Sequence, residues 1–282
     1  MKILQKIKEL ENQARRFELK LGEEESSEED LKNWKQQIIK LKRLLDSGID
    51  DENEDVLLPL ITPEEIVSKA KEFGKSFKEK EYNLALEQIK EFNKKFPKEG
   101  LDDLKFKEYV YSNHDSLSYW IDVNTGDVAH MFHDGFNREF GVLYSNKQQK
   151  YYIAKGVNSL EVSEIIAQTK FEEVKKAIIS LIKNIKENKL NYLDEDKKIW
   201  HQVKTKIAYL YFPEKFIPIC SKDLLKKVCE ILGLAFNENS PLQSNNRLLI
   251  KLKSMPIIKD WHTMKLVQFI YTAILNKEWH KS

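Results

Sequence analysis

Two histidines three positions apart, His130 and His133, are followed at once by Asp134 in the run AHMFHDGFNREFG. Imidazole and carboxylate are the groups that ligate zinc or exchange protons near neutral pH. On a helical turn the two rings would reach one ion, whereas on a strand or loop they diverge. His114 and Asp115 complete the set of nearby groups, and a polar loop beside a sheet accounts for the same residues. No phosphate loop, GxSxG elbow, HExxH helix or PD-(D/E)xK pattern occurs in the chain. Asp194, Glu195 and Asp196 stand where charge at a helix N-terminus is expected. The chain is therefore expected to be no enzyme by itself, with no catalytic residue, no metal and no cofactor.

A second chemistry is carried by rings. Aromatic residues crowd the stretch from Tyr109 to Tyr152, beside Arg138, Lys147, Lys150 and Lys155. Rings with adjacent cations can stack an extruded base while holding its phosphates. We single out Tyr119, Trp120, Arg138, Lys147, Lys150, Tyr151 and Lys155 as candidate nucleic-acid contacts. Alternating rings also fill the inner face of any small sheet, and that reading weighs more for Trp120 and Tyr144. Arg247, Lys251 and Lys253 share one helix and could touch phosphates or simply solvate it. Trp200, Trp261 and Trp279 read as core or interface anchors on apolar helix faces.

Charge adds an asymmetry. Lys and Arg number 47 against 45 Asp and Glu, a net charge of +2. Counted by halves, residues 1–150 hold 25 basic and 31 acidic groups, and residues 151–282 hold 22 and 14, giving −6 and +8. The second half is the better match for a phosphate backbone. The only cysteines, Cys220 and Cys229, imply neither a disulfide framework nor a zinc site, and fit buried thiols in a reducing, cytoplasmic compartment. No apolar run approaches the roughly 20 residues of a membrane span, so no membrane partner is expected.

The elements that would position these residues are mostly helical. Ile3, Ile7, Leu10, Ala14 and Phe17, then Leu31, Trp34, Ile38, Leu41 and Leu45 after the acidic break GEEESSEED, recur at helical spacing. Residues 1–48 thus predict a helical hairpin or short coiled coil able to self-associate. Residues 49–100 read as an acidic linker with connector helices, the first opening at Thr62-Pro63-Glu64-Glu65. Residues 101–282 read as an α+β recognition domain, with a sheet of three to five strands over about 105–155 and helices over about 159–277. The expected helices span about 159–168, 171–188, 195–211, 221–232, 243–253 and 261–277. The fold class is α+β and mostly helical, a small antiparallel sheet packing on a C-terminal helical bundle.

Between two of those helices lies the most unusual segment, KTKIAYLYFPEKFIPICSKDLLKKVCEILG from Lys204. Pro213 and Pro218 stiffen an aromatic corner, Ser221 signals the N-cap of the next helix, and Gly233 stops it. The run KIAYLYFPEKFIPICSKDLLKKVCEILG resembles a segment upstream of the ATPase module in McrB-type AAA+ restriction proteins. LLIKLKSMPIIKDWHTMKLVQFIYTAI is similar to the element that closes that region. KEYVYSNHDSLSYWIDVNT and FGVLYSNKQQKYYIAKG resemble the sheet-forming unit that comes first in it. These pieces cover roughly residues 101 to 278 in the same order, but no phosphate loop follows them here, and Arg138 stands where the family has a glycine-rich turn. The resemblance implies a non-catalytic nucleic-acid-recognition and assembly module of a restriction or antiviral defence system, with DNA preferred over RNA. Its partners would be an AAA+ ATPase module or nuclease subunit. The other reading is a protein-interaction scaffold that docks an ATPase or nuclease without touching nucleic acid.

Overall fold

The first helices form because their apolar residues fall on one stripe. In the computed structural model, which describes residues 2–18, 28–46, 61–77, 80–111, 114–129, 140–155 and 158–277, the chain divides into two compact units. One is Met1–Ile66 with Lys227–Phe236, the other Val67–Lys226 with Asn237–Ser282.

In the first unit, α1 (Lys2–Glu18) and α2 (Glu28–Asp46) meet through Ile7, Leu10 and Leu41, with Trp34 and Ile38 packed against them. Phe17 sets its edge on Trp34 at 6.2 Å. The ion pairs Glu11–Lys42 and Glu18–Lys35 flank the stripe at 2.6 and 2.5 Å. Being exposed, such pairs contribute less than the burial between them. Thr62 opens α3 (Pro63–Ser76) with a reciprocal cap: Thr62 Oγ1 accepts from Glu65 N at 3.1 Å, and Glu65 Oε2 accepts from Thr62 N at 2.6 Å. The start expected at Thr62-Pro63-Glu64-Glu65 is the one observed.

In the second unit, α4 (Lys80–Lys95), α7 (Glu164–Lys186), α8 (His201–Tyr211), α10 (Pro241–Lys253) and α11 (Thr263–Phe269) carry the core. Phe171, Val174, Ile178, Leu181, Ile182 and Ile185 give α7 its buried stripe. Every residue of α8 from Val203 to Tyr211 is buried, so this helix is enclosed on all sides. α4 grips its C-terminal end, where Asn93 Nδ2 donates to Leu210 O at 2.8 Å. α11 holds it at Tyr209, whose hydroxyl meets Thr263 Oγ1 at 2.9 Å. The corner after α8 is buried at Phe216, Ile217, Ile219 and Cys220. Asn245 of α10 satisfies both backbone groups of Ile217 at 2.8 Å, in place of a sheet partner. Ser221 then caps α9 (Lys222–Ile231), accepting from Leu224 N at 3.2 Å, and Gly233 ends it at φ 67°.

The sheet is small. β1 (Val142–Ser145), β2 (Lys150–Lys155) and β3 (Asn158–Val162) form an antiparallel meander in the order β1-β2-β3. Val142, Ile153 and Leu160 lie abreast, as do Tyr144, Tyr151 and Val162, so these six share one face. Leu143, Tyr152 and Glu161 occupy the other, with Ser145 and Lys150 beside them.

The α+β, mostly helical class holds, but the extent of the sheet does not. Residues expected as strands between 105 and 124 form helical turns instead: α5 (Phe106–Tyr109), α6 (Leu117–Tyr119) and a π-helical turn at Trp120–Asn124. Asn158–Val162, expected to begin a helix, is the third strand. α7 is one helix where two were expected, since Ser163 caps it and nothing between Gln168 and Phe171 breaks it. The helix expected from 195 starts only at His201.

Candidate nucleic-acid interface

The described candidates fall into two groups joined by a chain of rings. Tyr119 closes α6, whose cap Ser116 accepts from Tyr119 N at 3.3 Å. Its ring stacks on His114 at 4.5 Å and 14°, and leans on Tyr111 at 5.5 Å. Trp120 follows in the π turn, set edge-on to Phe96 at 6.2 Å with the Lys95 ammonium 5.3 Å above it. Lys95 also donates to Asp115 at 2.7 Å, which holds that carboxyl below its usual range. A cleft of about 540 Å³ beside Lys95 carries Lys105 but also Asp103, Glu108 and Asp115. Three carboxylates against two ammonium groups make it a poor seat for phosphate.

Tyr111 continues to Phe140 at 5.9 Å, and Tyr109 donates to Phe140 O at 2.5 Å. From there Tyr109, Phe171, Phe106, Tyr151 and Tyr144 touch in sequence at 5.3, 5.7, 5.4 and 4.7 Å. Tyr109, Phe140 and Phe171 are buried, so this chain is core. Tyr151 belongs to it and turns toward α5 and α7; burial, its largest influence, raises its phenol pKa.

The opposite face and its tip present other groups. Lys150 donates to Glu161 at 2.9 Å. Residues Asn146 to Gln149 form the turn between β1 and β2, and Gln149 takes a left-handed φ of 54° without being glycine. Its side chain explains how that conformation is held: Oε1 accepts from Tyr144 OH at 2.8 Å and Nε2 donates to Asn146 O at 2.7 Å. Gln149 N closes the turn on Ser145 O at 2.7 Å, and Ser145 Oγ accepts from Gln148 N at 3.2 Å. Gln148 Oε1 accepts from the Tyr152 hydroxyl. Lys147 is exposed at the tip, and among the described residues it has no ion pair. The result is a tip at which the Lys150 ammonium, the Gln148 carboxamide and the Tyr152 ring share one side.

Tyr152 and Gln148 are thus functional candidates that the sequence reading missed. The signal was present: Lys150 and Tyr152 are two apart and must share a strand face, while Tyr151 shares its face with Ile153. Arg138 lies outside the described residues, as do His130, His133 and Asp134. Lys155 ends β2, and its side chain is outside the described set. Among the described residues no group of three His, Cys, Asp or Glu is placed to hold a metal. No helix among them is long and apolar enough to cross a membrane.

Two buried polar clusters tie distant segments together. Asp194, expected to cap the helix that follows it, accepts from Leu242 N at 2.9 Å and so caps α10; burial is the main cause that raises its carboxyl pKa. Lys204 spends its protons on Leu193 O and Asp196 O. His201 beside it is pushed down to about 4 by burial and the neighbouring Lys204 and Lys222, and is neutral at pH 7. Lys206, wholly buried, donates to Ala129 O at 2.8 Å and Asp122 O at 3.3 Å, tying α8 to the turn that carries Trp120. Cys220 and Cys229 are buried thiols. Of the tryptophans expected as core or interface anchors, Trp200 is 41% exposed, Trp261 is half-buried against Phe73 and Phe269, and Trp279 lies outside the described residues.

Comparison with protein-family models, curated proteins and solved structures returns no match to this chain.

Proposed function

We propose that the chain is a non-catalytic nucleic-acid-recognition and assembly module of an McrB-like restriction or antiviral defence system, working in the cytoplasm. The carrying observation is the Ser145–Lys150 turn, where a non-glycine residue is held at positive φ by two side-chain hydrogen bonds. Strain maintained by dedicated contacts is a mark of a functional segment. Lys147 and Lys150 meet phosphate, Gln148 offers its carboxamide nitrogen to a base edge, and Tyr152 offers a ring. Tyr119, stacked on His114, adds a second ring platform. The +8 charge of residues 151–282 draws the nucleic acid in. α1 and α2 form the antiparallel pair through which the chain assembles, and an AAA+ ATPase or nuclease subunit supplies the chemistry.

Fluorescence anisotropy with labelled DNA and RNA at low salt tests this reading. DNA binds more tightly than RNA, and Tyr152→Ala weakens binding by about 1–3 kcal/mol, the worth of one stacked base. Unchanged affinity in Tyr152→Ala, or no binding of either polymer, removes it. The near-neutral net charge of +2 favours a second reading, a scaffold that docks an ATPase or nuclease and ignores nucleic acid. Self-association of residues 1–48 alone, with no nucleic-acid retention by the full chain, would establish that one.

A further inference from the structure

We infer that β3 is a self-pairing edge, and that two copies of the chain join there into one continuous six-stranded antiparallel sheet. β3 is the last strand of the order β1-β2-β3, and among the described residues its backbone hydrogen bonds run only to β2. Natural edge strands are guarded by lysine, proline, a bulge or a covering element. Asn158–Val162, NSLEV, carries no lysine or proline. It leaves Leu160 46% exposed, and Ile165 and Ile166 at the start of α7 are 76% and 49% exposed. These three form the apolar border of an open edge.

The strand's own residues name the occupant. An antiparallel pair related by a two-fold axis at Leu160 sets Leu160 opposite Leu160, Ser159 opposite Glu161 and Asn158 opposite Val162. No like charges face each other in this register. The two-fold register sets Ser159 beside Glu161 of the second copy, on the sheet face that both residues share. That axis stands perpendicular to the sheet, so both α7 helices sit on one side. Leu160, Ile165 and Ile166 of each copy then cover those of the other.

Sedimentation velocity of the full chain, with two cysteine variants as register markers, tests this. Wild type assembles with rising concentration, and Leu160→Lys, which puts two ammonium groups opposite each other, halves the assembled mass while retaining its circular dichroism. Under mild oxidation Leu160→Cys cross-links into a covalent dimer, because opposite residues lie about 4.5–5.5 Å apart. Val162→Cys does not, because its two copies lie roughly 13 Å apart along the strands. The native thiols are buried and stay silent. The Leu160→Cys result stands even if Leu160→Lys fails to fold. A monomeric wild type, an assembly that survives Leu160→Lys without Leu160→Cys cross-linking, or equal cross-linking of both cysteine variants overturns the inference. The second of these outcomes assigns assembly to α1 and α2 alone.

Discussion

Lys206 shows how a single side chain fixes the geometry around Trp120 and what that costs. Burial pushes its ammonium down to about 8, with Cys220, Asp122 and Asp127 opposing. The unfolded lysine titrates near 10.4, so between those values the unfolded chain binds more protons and stability rises with pH. Tyr109, Tyr209 and Tyr211 act oppositely: burial holds their phenols above the ordinary value of about 10, so stability falls once the unfolded tyrosines ionise. Urea unfolding should therefore show wild type gaining roughly 2 kcal/mol between pH 8 and 10 relative to Lys206→Met. Parallel curves for the two proteins would refute this. At the other end of the ring chain, Tyr109→Phe removes the donor to Phe140 O and leaves a buried carbonyl unsatisfied. Chemical denaturation should register a loss of about 1–3 kcal/mol. An unchanged midpoint would show that water replaces the hydroxyl.

At the scale of elements, positions that depend on local chemistry were legible and those that depend on distant partners were not. Thr62 with Glu65, Ser221 and Gly233 marked helix ends correctly because caps and left-handed stops act within one turn. The alternation in YVYSN and SLSYWIDV misled, since rings two apart suit a strand but Tyr109 and Tyr111 face different partners, Phe171 and Phe140. Side-chain bonds from Tyr109 to Phe140 O and from Thr125 Oγ1 to Ile121 O at 2.8 Å satisfy this region without a strand neighbour. Asp194 reads as a cap for its own helix, and only the fold reveals that it serves α10. Of the candidate interface, the closeness of rings and lysines along β2 was legible, but which ring shares a face with Lys150 needed strand parity: it is Tyr152, not Tyr151. Gly141 tests the seam between β1 and α7: it sits at φ 79°, and an added Cβ would meet Val174 Cγ2 at 3.0 Å. Gly141→Ala should cost about 2 kcal/mol, read as a lowered urea midpoint. A neutral substitution would mean that this seam yields.

For the whole molecule, the proposed function turns on charge met by phosphate. Lys147 and Lys150 stand on the tip, and the half of the chain from residue 151 carries the excess of +8. Under that proposal, counterion release makes the logarithm of the binding constant fall linearly with the logarithm of salt concentration, by about 0.7 per phosphate neutralised on a single strand. The most direct test is the anisotropy of labelled single-stranded DNA from about 50 to 200 mM salt, for the full chain and for its double variant Lys147→Ala, Lys150→Ala. The account predicts a linear dependence whose slope shrinks by about 1.4 in the double variant. A slope identical in both proteins, or no binding at the lowest salt, would contradict it.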